Sequence, residues 1–213
     1  MQPGAAAGDE NRTFIEAARR AQIVAAAIDT IAEVGYPAAS FARIAERLGI
    51  SRGLISYHFA GKDDLIRQVA IEIIGASRSY MLPRILAQTT GPATLRTYIE
   101  SNLEFMRDHR NYMVAILEIA RNGGLTSGGR QRVDGREVGV ALRLLEELLA
   151  RLQSEGELRA DFDPEVMALA IRAAIDAVPL RLAVNPDLDL DKYGKELAAA
   201  FDLATRIEAR PDP

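Results

Sequence analysis

Between residues 40 and 59 the chain reads SFARIAERLGISRGLISYHF, and this stretch restricts the possible folds more than any other. Ser40 stands where a helix N-cap is wanted, and Phe41, Ile44, Ala45 and Leu48 recur at the spacing of one buried helical stripe. Gly49 supplies the left-handed backbone that ends such a helix, and Ser51 caps the next one almost at once. Two short helices joined so tightly must cross at a steep angle. Ala45 is small enough to allow the crossing, and the apolar Ile50 and Ile55 seal it. This is the spacing of a helix-turn-helix.

The second predicted helix carries a face that no core requires. Leu54, Ile55 and Phe59 suffice for burial, which leaves Ser51, Arg52, Gly53, Ser56, Tyr57 and His58 outside. Where such a helix enters the DNA major groove, its N-terminal residues meet base edges. Arg52 can pair with guanine through both arms of its guanidinium, and Gly53 lets the backbone come close. Ser56, Tyr57 and His58 can bond to phosphates or base edges, and the free N–H groups near Ser51 favour a phosphate. A plain helical hairpin with a wetted polar face would use the same residues. Residues 12–62 hold seven Lys/Arg against four Asp/Glu, on a chain whose formal net charge is −4. A local polyanion contact and scattered solvated charges both fit that asymmetry.

The rest of the chain reads as helix, because no β-branched alternation is sustained. A first helix is expected over Thr13–Val34, stopped by Gly35 and Pro37, with residues 1–12 as a disordered tail. After Phe59, AGKDDL starts a long helix from Lys62 towards Tyr80, with Pro83 as kink or stop. Further helices are expected over 93–107, 110–121 and 131–155, with the glycine-rich 122–129 as the most flexible internal segment. Asp163 and Pro164 mark another helix start, running to about Ala183 with a kink at Pro179. A last helix over 189–208 carries Leu190, Tyr193, Leu197, Phe201 and Ala204 on one stripe. The fold class is all-α, with about nine helices: a small head over 13–62 and a larger body over 63–213.

The stretch TIAEVGYPAASFARIAERLGISRGLISYHFAGKDDL resembles the DNA-binding domain of the tetracycline-repressor (TetR) family of bacterial transcriptional regulators. Gly35, Tyr36, Ile44, Ala45, the run Leu48 to Ser51, Gly53, the run Tyr57 to Phe59, Lys62 and Leu65 carry the likeness. It implies a ligand-responsive regulator, most often a repressor, that binds a near-palindromic double-stranded DNA operator as a homodimer and is released by a small organic effector. It further implies that Arg52, Gly53, Tyr57 and His58 line the DNA, that Lys62 holds a phosphate, and that Ser40 and Arg43 approach the backbone. Ser56 departs from the family's usual tyrosine and has a shorter reach. A constitutive DNA binder without a ligand is the alternative within the same class.

A helical-bundle enzyme is the rival from another class. The only histidines are His58 and His109; Ile55 and Met106 stand three positions before them, so the Glu-x-x-His pairs of di-metal bundles are missing. There is no cysteine, hence no disulfide and no thiolate metal site or nucleophile, which suits a reducing cytoplasm. Neither a secretory leader nor a membrane-spanning run is evident, and no cofactor is implied. A bare helical scaffold would explain the body but not the head.

Within the body, Tyr98, Asn102, Phe105, Met106, Met113, Leu117, Arg121, Met167 and Ile171 are the candidates to line an effector pocket, although all but the polar ones also suit core packing. Asn102, Glu118 and Arg121 would need partners if they face inward. Dimerisation is expected through the last two helices, using Val166, Leu169, Ala170, Ala173, Ala174, Ala177 and Leu180 together with the Leu190 stripe.

Overall fold

The computed structural model describes the backbone of residues 4–122, 126–127, 130–131 and 135–207, and the side chains of 14–122 and 139–207. Ten helical segments appear among them: α1 Gly4–Val34, α2 Phe41–Leu48, α3 Arg52–His58, α4 Lys62–Leu86, α5 Gly91–Asp108, α6 Arg110–Arg121, α7 Gly135–Ser154, α8 Pro164–Asp176, α9 Val178–Val184 and α10 Leu190–Thr205. A two-residue antiparallel ladder pairs β1 (Thr126–Ser127), within the expected flexible segment, with β2 (Arg130–Gln131) just beyond it, and α7 starts after the ladder rather than at 131. The chain divides into two compact units, residues 1–73 with 114–132, and residues 74–113 with 133–213. The sequence-based boundary at 62/63 thus differs from the structural division, because the first turns of α4 and most of α6 belong with the head.

In the first unit each element ends where its local chemistry says it should. Gly35 (φ +79°) takes the left-handed position after α1, its N–H donating to the Ile31 carbonyl at 2.9 Å. The Ser40 hydroxyl accepts from the Arg43 N–H at 3.4 Å to cap α2, and Gly49 (φ +63°) closes it. Ile23, Ile28 and Ile31 of α1, Ile44 of α2, Ile55 of α3, Phe59, and Leu65, Ile66 and Val69 of α4 form the buried core of this unit. The expected 1–12 tail is corrected in part: α1 begins at Gly4, since the alanines at positions 5–7 have the highest helix propensity.

The second unit is a helical bundle in which α5 packs on α10 and on α8, and α7 on α8. Leu95, Ile99, Leu103 and Phe105 of α5, Leu145 and Leu149 of α7, and Ala168, Ile171 and Ile175 of α8 fill its core. A Cβ built on Gly194 would stand 3.4 Å from the Leu103 Cβ, an ordinary contact where α10 lies on α5. Thr90 caps α5 two residues earlier than expected, with Pro92 in the first turn. Pro83 neither stops nor ends α4; the helix continues to Leu86, and the Ala87 N–H still reaches the Pro83 carbonyl at 3.2 Å. Pro179 does interrupt the next rod, splitting it into α8 and α9 at Ala177; counted as one, they bring the total to the expected nine.

The Leu190 stripe needs a correction. Leu190, Gly194 and Ala198 are buried and Tyr193, Leu197, Phe201 and Ala204 are half-buried, because α10 spends this face on its own unit. The apolar residues that α10 leaves exposed are Ala200 and Leu203, followed by Ile207 beyond its end. On α8 and α9, by contrast, Val166, Leu169, Ala170, Ala173, Ala177 and Leu180 are exposed as expected, and only Ala174 is half-buried.

Candidate nucleic-acid interface and effector site

Three devices build the α2-turn-α3 unit, two of them local. The Gly49 and Ile50 N–H groups turn back onto the end of α2, Ile50 donating to the Ala45 carbonyl at 3.0 Å. The Ser51 hydroxyl then accepts from the Leu54 N–H at 3.2 Å and starts α3. At the other end, the Arg20 guanidinium of α1 donates to the His58 carbonyl and lies 4.4 Å over the Phe59 ring. A cation hydrogen-bonded to the last carbonyls of a short helix suits the helix dipole and fixes the helix on the core. Arg20 was not a site candidate from sequence, because its partner is 38 positions away.

Arg52, Gly53, Ser56 and Tyr57 stand exposed on α3, Tyr57 at 69%. His58 is half-buried and meets Tyr57 edge-on, ring centroids 5.1 Å apart. The Tyr57 hydroxyl is 3.5 Å from a carboxylate oxygen of Glu16. Ser40, Arg43 and Ser51 are exposed on the same unit. Lys62 begins α4, its ammonium donating to the Tyr36 carbonyl at 2.6 Å and lying 4.2 Å over the Tyr36 ring. Ion pairing of Arg47 with Glu33 ties α2 to α1.

Gly53 separates a fold requirement from a functional one. Its φ is not positive, and a Cβ built on it would meet only the Ser51 hydroxyl, at 3.8 Å. Alanine would fit and would favour the helix by about 0.5–1 kcal/mol. The fold therefore does not ask for glycine here, whereas a surface brought against the backbone of α3 would.

In the second unit, Tyr98, Asn102, Phe105, Met106, Met113 and Ile171 are buried and Met167 is half-buried. Tyr98 and Asn102 meet at one polar cluster. The Asn102 amide donates to the Tyr98 carbonyl at 2.8 Å. Arg172 of α8 donates to the Tyr98 hydroxyl at 3.1 Å and to the Asn102 Oδ1 at 3.4 Å, and it pairs with Asp176. Burial works against the Arg172 cation, but Tyr98 and Asp176 outweigh it and hold its pKa above the ordinary arginine value. Arg172 was missed from sequence, though a lone cation one position after buried Ile171 in PEVMALAIRAAID was a usable signal. Phe105 is committed elsewhere: it stacks on His109 at 4.3 Å and meets the Tyr80 ring edge-on at 5.7 Å.

Leu117 and Arg121 fall in the first unit, and Arg121 is exposed in the last turn of α6, where a cation suits the carbonyl end of the helix. Neither joins the Tyr98–Asn102–Arg172 cluster. Surface clefts of the second unit are lined by Glu100, Glu104, Leu190, Asp191, Gly194 and Lys195, and by Arg159, Asp161, Leu203, Ala204 and Arg206; none of the candidates lies in either. Among the described residues no helix is long and apolar enough to cross a membrane.

A family model described as bacterial regulatory proteins, tetR family, matches residues 23–69, from the last third of α1 into α4. The HTH-type transcriptional regulator BetI of Cronobacter sakazakii is 31% identical over 191 residues, covering 85% of this chain and 92% of that protein. The chain belongs to the TetR family of bacterial transcriptional regulators. Solved structures agree on the fold of the whole TetR-type chain. The fatty acid degradation regulator FadR of Bacillus halodurans superposes with a TM-score of 0.74 at 21% identity, over 85% of this chain and 93% of that one. FadR of Bacillus subtilis, solved in complex with stearoyl-CoA, gives 0.71 at 22% identity, over 84% and 95%.

Proposed function

We propose that this TetR-family regulator is a cytoplasmic repressor that binds a near-palindromic duplex operator as a homodimer and leaves it when a small organic effector binds the body. The observation that carries the reading is the Arg52–Gly53 face of α3: exposed, and glycine where the fold would accept alanine. Arg52 reads a base pair, Ser56, Tyr57 and His58 contact bases or phosphates, and Ser40, Arg43, Ser51 and Lys62 hold the backbone. Two such helices, one per protomer, reach grooves about 34 Å apart or a multiple of that.

Support for the dimer comes from the exposed apolar set on α8 and α9 (Val166, Leu169 and Leu180, each more than half exposed) and from Leu203 on α10. Packed on their symmetry mates, these faces should bury more than about 1,000 Å². The exposed alanines between them permit close helix approach. The effector reading rests on the Tyr98–Asn102–Arg172 cluster, a few polar groups among apolar neighbours, which is how small-molecule sites are composed. An effector that binds one arrangement of the chain better can shift the equilibrium only by that difference, about 1–3 kcal/mol, and DNA must weaken effector binding by the same factor.

Light scattering at micromolar concentration tests the assembly: a dimer mass is expected, and a monomer mass overturns it. Titrating a broad compound library with and without the operator duplex tests the release. A compound that binds the body more weakly when DNA is present is expected; if every body binder is indifferent to DNA, the regulator is constitutive.

A further inference from the structure

The first unit contains a polar strut that ties α6 to the turn between α1 and α2. Glu118, on the penultimate turn of α6, is half-buried, and its Oε2 accepts the Tyr36 N–H at 3.2 Å. The two residues are 82 positions apart but belong to the same compact unit. The Tyr36 backbone is held at its next peptide group as well, because its carbonyl accepts the Lys62 ammonium at 2.6 Å. That ammonium also lies 4.2 Å over the Tyr36 ring. A Cβ built on Gly35, whose φ of +79° closes α1, would stand 3.2 Å from the same Glu118 oxygen.

We infer that Glu118 is a positioning residue for the phosphate contact of Lys62, acting through the backbone of Tyr36. The inference rests on the DNA-binding reading above. A carboxylate on a backbone N–H is a charge-assisted bond of the stronger kind, and it fixes where the Tyr36 carbonyl and ring stand. The carbonyl takes one ammonium proton and the ring supports the positive charge, so the head group is aimed before DNA arrives. A lysine held in place loses less freedom on binding a phosphate than one that must first be ordered. With Glu118 removed, the Tyr36 turn and the lysine resting on it lose that anchor. The last turns of α6 are thereby part of the DNA-binding machinery.

The experiment compares wild type, Glu118→Ala, Glu118→Gln, Lys62→Ala and the Glu118→Ala/Lys62→Ala double variant on the operator duplex selected by the wild-type chain. Fluorescence anisotropy across a salt series gives both affinity and salt slope, and thermal unfolding checks the fold. Glu118→Ala should weaken binding roughly three- to tenfold and shallow the salt slope by up to about one phosphate contact per protomer. The double variant should bind no worse than Lys62→Ala, because both changes remove one coupled contact. Glu118→Gln, whose amide oxygen can still accept the Tyr36 N–H, should keep most of the affinity. Should Glu118→Ala fail to fold, Glu118→Asp withdraws the carboxylate by one methylene and should weaken binding in the same direction. A folded Glu118→Ala or Glu118→Asp variant with wild-type affinity and slope, or losses that simply add in the double variant, would overturn the inference alone. A wild-type chain that selects no duplex overturns the function proposed above and this inference with it.

Discussion

Consider one methyl group added at Gly53. Glycine in a helix costs about 0.5–1 kcal/mol relative to alanine, because the unfolded chain has more freedom to lose. At this position the new Cβ would touch only the Ser51 hydroxyl, at 3.8 Å, and the backbone is not in the left-handed region. Gly53→Ala should therefore stabilise the folded chain, raising Tm by roughly 1–4 °C for a protein of this size. The same methyl group stands on the exposed face of α3, beside Arg52 and Ser56. If that backbone lies against DNA, α3 must back away, and the Arg52 contact, worth about 1–3 kcal/mol, lengthens in each half-site. Operator affinity should fall at least about tenfold while stability rises. Circular-dichroism melting and anisotropy titration of one preparation read both quantities. A variant that is more stable and binds as tightly as wild type would refute the reasoning, since α3 would then have room to spare. A less stable variant would refute the claim that the fold has no use for this glycine.

Arg52→Ala should cost about 1–3 kcal/mol of operator binding and relax preference at one base pair per half-site, measured by binding to a panel of single-base operator variants. Leu169→Glu, on the exposed face of α8, should give a monomer in light scattering and abolish operator binding together; Leu197, half-buried within its own unit, is the poorer probe. Arg172→Met should lower stability by about 1–3 kcal/mol in chemical denaturation, because the Tyr98 hydroxyl and Asn102 Oδ1 lose their donor. It should leave the salt slope of DNA binding unchanged.

The helix-turn-helix was legible because its signals are local. Ser40, Gly49 and Ser51 each act within four residues of themselves, and the structure shows all three in the expected roles. Asp163 with Pro164, and the bounds of α6, were readable for the same reason. Arg20, Glu118 and Arg172 show where that reading stops. Their partners, His58, Tyr36 and Tyr98, are brought to them only by helix packing, and one sequence without its fold does not reveal which acids and bases meet. The face of α10 failed differently. Both an internal and an intermolecular interface ask for an apolar stripe, and periodicity reports the stripe without saying which neighbour takes it. Helix starts in alanine-rich tails, as at Gly4, follow propensity rather than any capping signal, so the boundary was placed late.

The most direct test of the central claim is selection of duplexes from random DNA by the purified wild-type chain at moderate salt. The account predicts enrichment of an inverted repeat whose half-site centres are about one helical turn, roughly 34 Å, or a multiple of it apart, and loss of that enrichment with Arg52→Ala. Recovery of unenriched sequence, bound with the same affinity by wild type and Arg52→Ala, would contradict it.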